Sequence, residues 1–239
     1  MAVAAWCLPV AAGPPASATP DLGGKTVFLD PGHGGAGGTA LSRQVPNGRG
    51  GTKDCGTTGT AASDGFPEHT FTWDVVQLVN ANLTARGVHT ELSRGDDSGS
   101  APCVDERARA ANAMHPDAIV SIHADGGPAA GHGFHVNYSS PPLNDAQRGG
   151  AMQLATDMHN ALVAAQFPQS TYIGTDGMYG RSDLAGLNLA EYPAILVELG
   201  NMKNSDDAAQ MESGEGRSGY AAAVTQGIVA YLSGTPASS

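Results

Sequence analysis

Residues 26–35 read TVFLDPGHGG. A short apolar run that stops at Pro31-Gly32 is the pattern of a buried β-strand, here over 26–30, and it delivers His33 just past the strand's carboxyl end. Outward from it, Gly34 to Gly65 is glycine-rich and polar without periodicity, a loop whose length marks it as functional. Glu68 to Arg86 then sets Phe71, Val75, Leu78, Val79 and Leu83 at helical spacing and halts at Gly87. VHTEL (88–92) reads as a strand, Asp105 to Met114 as a helix, and AIVSI (118–122) as a second buried strand ending at His123. This βαβαβ alternation predicts a largely parallel, twisted sheet with helices on both faces. Gly133–Tyr138 and AILVE (194–198) add strands, Asn144–Gln166 a helix, and Ser218–Leu232 a closing helix. The reading is a single α/β domain over 25–234 with about six strands, followed by a disordered tail at 235–239.

Composition narrows the function. Hydrophobic residues make up 41% of the 239 and charged ones 15%, which fits a globular core and excludes disorder or coiled coil. Lys and Arg number 12 against 23 Asp and Glu, a net charge of −11 without any basic run, so nucleic acid is not the expected partner. Residues 1–20 are uncharged and partly apolar, and Ala16-Ser17-Ala18 fits a signal-peptidase site, so export is expected although no basic residues precede the apolar stretch. That stretch is shorter than the roughly 20 residues a bilayer demands, so no membrane span is expected. Cys7 falls in this leader. Cys55 and Cys103, 48 residues apart, remain as a pair that an oxidising compartment would join, against the alternative of two free thiols.

Four side chains stand out for chemistry. His33, His123 and Glu198 each follow or end a buried strand, where ligands bind in parallel α/β sheets. Glu68 opens a helix on its apolar stripe, and a carboxylate there is costly unless paired. Two imidazoles and a carboxylate from separate elements are the ligand set of a catalytic zinc, which activates water and polarises a carbonyl, with Glu198 as proton shuttle. Each residue also has an ordinary reading: a turn-filling His33, a loop-bonded His123, a first-turn Glu68 favoured by the helix dipole, a Glu198 paired with arginine. Of the other histidines, His135 lies in a strand and is the reserve ligand, while His69 points about 100° away from Glu68.

Gly32 to Gly37 also satisfies G-x-G-x-x-G, the fingerprint of an NAD-dependent oxidoreductase. The stretch after it breaks into PNGRGG instead of opening a helix, and no acid lies about twenty residues on at a second strand's end. G-x-S-x-G, P-loop and C-x-x-C patterns are absent.

VFLDPGHGG, the helix start PEHTFTWDVV, SIHADG and PAILVELGNMKN, in this order over residues 25–233, resemble the zinc-dependent N-acetylmuramoyl-L-alanine amidases of the Amidase_3 type, most of all the short secreted actinobacterial members. The resemblance implies that His33, Glu68 and His123 bind one zinc ion and that Glu198 is the catalytic glutamate. It implies hydrolysis of the amide joining N-acetylmuramic acid to L-alanine of the peptidoglycan stem. Asn201 departs from the family, many of whose members carry Phe there, which concerns groove packing; Asn204 is retained. The interval from His123 to Glu198 lacks the long extra helix with which some division-linked members block their own zinc, so a monomer needing no activator is expected. Arg181 is a candidate contact for a substrate carboxylate or oxyanion. With no wall-binding module and a net negative charge, released muropeptides are expected to serve as well as intact wall. A catalytically idle metal-containing wall-binding protein is the remaining alternative, and the retained Glu198 speaks against it.

Overall fold

The computed structural model describes residues 22–35 and 39–234. The expected leader (1–20), the tail (235–239) and the end of the G-x-G-x-x-G stretch lie outside the described residues. β1 (Thr26–Pro31) is flanked by the edge strand β4 (His89–Leu92) and by β5 (Ala118–Asp125), both paired parallel to it. β8 (Ala194–Asn201) follows β5 in parallel, β6 (His135–Ser139) runs antiparallel to β8, and β7 (Met178–Arg181) closes the edge parallel to β6. The order is β4-β1-β5-β8-β6-β7, six strands with one antiparallel junction.

Alternation along the strands separates two cores. Val27 and Leu29 of β1, Val120 and Ile122 of β5, and Ile195 and Val197 of β8 face α1 (Glu68–Thr84), α4 (Gly150–Ala164) and α7 (Gly214–Ser233). Phe28, Ile119 and Ala194 face the opposite way, toward α2 (Val104–Met114) and α5 (Ala185–Asn188). α1 contributes Phe71, fully buried and edge-on to Tyr220 at 5.7 Å; its loss would cost about 3–5 kcal/mol. Leu78, expected on that stripe, is 38% exposed, because Thr72 and Val76 are buried and shift the stripe's centre away from it.

Topology places the site. The β1–α1–β4 crossover covers one face and β4–α2–β5 returns across the other, so strand order reverses between β1 and β5. Their carboxyl ends border a crevice at this switch point, and they carry His33 and His123.

The expected helix 144–166 is two, α3 (Asp145–Arg148) and α4, broken at Gly149-Gly150. A Cβ on Gly150 would come within 2.6 Å of Pro193, so close packing on the strand β8 entry sets the break. The glycine-rich loop contains an antiparallel hairpin, β2 (Gln44–Pro46) and β3 (Thr52–Asp54). Cys55 and Cys103 are bonded and form with Val45 a small buried cluster that ties the hairpin to the start of α2. α7 begins a turn earlier than expected, because Ser213 caps it by accepting from the Gly216 amide at 2.9 Å. α5, α6 (Ser205–Glu212) and β7 are short and lack the length that a periodic pattern requires to be read. No described helix is long and apolar enough to cross a membrane.

Candidate metal centre and active site

His33 leaves β1 in the left-handed region, φ 60°, next to Gly32, where a Cβ would come within 2.3 Å of the His123 ring. Its Nδ1 lies 2.9 Å from the Thr57 carbonyl. A carbonyl only accepts, so Nδ1 carries the proton and Nε2 is the nitrogen with a lone pair to offer. Glu68, the first residue of α1 and 3% exposed, places Oε1 3.0 Å from His33 Nε2 and 2.9 Å from His123 Nδ1. Ala124 N donates to the same oxygen at 3.1 Å and Thr60 N to Oε2 at 2.9 Å. Burial alone would push the Glu68 carboxyl up; hydrogen bonds and charge from His123 and His33 overcome it and hold the carboxyl below the usual range. For His33 burial likewise opposes the charged ring, and Glu68 raises it above the ordinary value.

The three donor atoms lie within 4.8 Å of one another. Two imidazole nitrogens and a carboxylate oxygen, with one ring oriented from behind by a backbone carbonyl, are a donor set that fits a divalent ion such as zinc.

Two arginines that sequence reasoning missed hold this loop. Arg107 of α2 donates from Nη1 to Asp30 Oδ1 (2.5 Å) and the Pro31 carbonyl (3.0 Å), from Nη2 to the His33 carbonyl (2.6 Å), and from Nε to the Pro102 carbonyl (2.9 Å). Arg94 donates to the Pro31 carbonyl (3.1 Å) and to the His69 carbonyl in the first turn of α1 (2.7 Å). Burial would raise Asp30, but the Arg107 charge and the Ser121 and Ser93 hydroxyls hold it far below the usual carboxylate range. The available signal was Arg107 beside Ala108 and Ala111, the small residues by which α2 approaches the sheet.

Glu198 on β8 is level with His123 across the parallel junction and with His135 across the antiparallel one. Burial, then the negative charges of Glu68 and Asp125, push its carboxyl well above the usual range, against Arg181. His135, the reserve ligand, is not with the three donors. His69 also turns away, to Asp97 at 2.8 Å. Arg181 on β7 grips Asp183 through two contacts of 2.7 and 2.6 Å and lies over the Tyr179 ring at 5.0 Å. Asn201 is fully buried. It donates to the Pro128 and Gly131 carbonyls (both 2.8 Å) and accepts from Gly127 N (3.0 Å), and so pins the β5–β6 loop through hydrogen bonds. Among the described residues the NAD alternative has no structural counterpart: from Thr39 the chain runs into the hairpin, and α1 opens only at Glu68.

A three-donor N,N,O cluster at the switch point of an α/β sheet, with a carboxyl-bearing strand end beside it, is the architecture of a metal-dependent hydrolase. Residues 27–230 match the Amidase_3 family, N-acetylmuramoyl-L-alanine amidase, and the chain belongs to that family. It is 60% identical over 218 residues to the N-acetylmuramoyl-L-alanine amidase Rv3717 of Mycobacterium tuberculosis, covering 91% of this chain and 90% of that protein. The crystal structure of the amidase Ami1 from Mycobacterium smegmatis superposes with a TM-score of 0.89 at 57% identity, over 90% of this chain and 100% of that one. The apo form of Ami1 from Mycobacterium abscessus gives 0.87 at 60% identity, over 88% and 99%.

Proposed function

We propose that this protein is a zinc-dependent amidase that cleaves the bond between the lactyl group of N-acetylmuramic acid and L-alanine of the peptidoglycan stem. The observation that carries the reading is the meeting of His33, Glu68 and His123 at the β1/β5 crevice, with Glu198 level with His123 on the next strand. A zinc ion held by those three donors would supply Lewis acidity, enough to lower the pKa of a water toward neutral pH and to polarise the lactyl carbonyl. Glu198, kept basic by burial and by neighbouring carboxylates, takes the proton from the attacking water. The oxygen bonds to the carbonyl carbon, the C–N bond breaks, and Glu198 returns its proton to the departing L-alanine nitrogen.

Thr57 and Thr60 orient His33 and Glu68 through their backbone groups. Arg181 is proposed as the contact for a stem-peptide carboxylate: it lies on the same sheet face as Glu198, and Asp183 and Tyr179 hold its guanidinium in place. The one long helix between His123 and Glu198, α4, packs against α7 and the sheet, which supports an enzyme that works without an activator. Secretion and action on peptidoglycan or on released muropeptides complete the proposal.

The test is zinc content together with release of the dipeptide from muramyl dipeptide by the purified protein alone. Wild type is expected to bind one zinc and turn over, chelation to abolish activity, and Glu198→Gln to keep zinc while losing turnover. A Glu198→Gln protein as active as wild type would overturn the role of Glu198, and release only with a second protein would overturn activator independence.

A further inference from the structure

Five buried side-chain polar atoms among the described residues have no hydrogen-bond partner, and three of them, Glu198 Oε2, His135 Nδ1 and Asn137 Oδ1, lie on one sheet face of the β6–β8 junction. Directly opposed residues of an antiparallel pair have Cβ atoms about 5 Å apart and diagonal ones about 7–8 Å, so these three side chains are neighbours. His135 is directly across from Glu198; Asn137 is across from Leu196 and diagonal to Glu198. Such clustering calls for a shared partner, since each orphaned buried polar group costs stability.

His135 is 1% exposed and lies edge-on to Tyr172 (6.3 Å) and Tyr179 (6.2 Å). Burial pushes its pKa down to about 4, opposed by Asp125 and aided by the positive charge of Arg181, so the ring is neutral near pH 7. Neither ring contact supplies a hydrogen bond to Nδ1. Asn137 spends its amide N–H on the Leu196 carbonyl at 3.2 Å, which leaves Oδ1 as an acceptor.

We propose that His135 is a positioning residue for Glu198, acting through one enclosed water held by His135 Nδ1, Glu198 Oε2 and Asn137 Oδ1. The donors and acceptors balance with Glu198 in the ionised form a base requires: neutral His135 donates Nδ1–H to the water, and the water's two hydrogens go to the Glu198 carboxylate and to the Asn137 oxygen. Enclosed waters make about three hydrogen bonds of this kind. Fixing Oε2 from behind fixes the plane of the carboxyl group and turns Oε1 toward the crevice. The inference rests on the reading of Glu198 as the catalytic base.

The experiment compares His135→Leu, which fills the space without a donor, with His135→Asn, whose amide N–H sits where Nδ1–H was. With zinc content and melting temperature measured for each, His135→Leu is expected to lose roughly ten- to a hundredfold in kcat at unchanged KM, the scale on which outer partners of catalytic groups act. His135→Asn is expected to recover most of that loss. Equal impairment of the two variants, or a leucine variant as active as wild type, would overturn the proposal. Imidazole nitrogen NMR of the zinc-loaded wild type provides a second readout that needs no variant: a neutral ring protonated on Nδ1 is expected, and an Nε2–H tautomer would refute it. Glu198→Gln is run alongside. If that variant retains full turnover, the reading of Glu198 as base has failed, whereas a dead Glu198→Gln with a fully active His135→Leu means that the inference alone has failed.

Discussion

Replacing Arg107 with methionine should loosen the metal site without touching it. The guanidinium and the Asp30 carboxylate are enclosed, with side-chain exposures of 9% and 15%. Methionine conserves much of the volume but leaves Asp30 buried without its counter-charge, and it removes the donors that face the Pro31, His33 and Pro102 carbonyls. Breaking a buried pair from one side costs about 3–5 kcal/mol. For a domain of this size each kcal/mol moves the melting temperature by roughly 2–4 °C, so Arg107→Met should melt about 6–20 °C below wild type. Because one of the lost donors fixes the His33 carbonyl, zinc affinity should also fall, by about tenfold or more. Thermal unfolding followed by circular dichroism reads the first effect and zinc competition with a chromophoric chelator the second. The double variant Asp30→Asn/Arg107→Met removes the stranded charge and should melt above Arg107→Met alone. A single variant that melts within about 2 °C of wild type, or a double variant no better than the single, would refute the reasoning.

Three further outcomes follow from the same geometry. Gly59→Ala puts a Cβ 2.7 Å from Glu68 Oε2 at φ +78° and should strip zinc, whereas Gly50→Ala, with φ +83° and nothing within 4 Å, carries the backbone strain alone and should retain the metal; zinc content of the two proteins separates clash from strain. Joint replacement of Cys55 and Cys103 by serine should destabilise by about 4 kcal/mol, as expected for a link spanning 48 residues, and calorimetry that shows no loss would contradict it. Asp30 is depressed in the folded state relative to its ordinary 3.8, so its stabilisation is present above that value and is lost as pH falls below it. Acid unfolding monitored from about pH 5 downward should therefore be less steep for Asp30→Asn than for wild type, and identical slopes would remove Asp30 from the account.

The order of the longer strands and helices was legible because each carries a local signature: a short continuous apolar run in TVFLDP and AIVSI, and a 3.6-residue period along α1. The candidate ligands were legible for a related reason. A polar residue that ends a buried strand or sits on a helix's apolar stripe breaks a local pattern, and His33, Glu68, His123 and Glu198 each do so. What the sequence could not carry are the relations between segments distant in the chain. That β6 runs antiparallel to β8, and so sets His135 opposite Glu198 rather than beside His33, Glu68 and His123, is a consequence of how segments 126–134 and 182–193 route the chain. The Arg107 latch, the break at Gly149-Gly150 and the hydrogen bonds of Asn201 are of the same kind. Local pattern reports which face of its own element a residue occupies, and only the packed structure decides which partner that face meets, because the free energy of a buried charge or orphaned amide is settled by groups dozens of residues away.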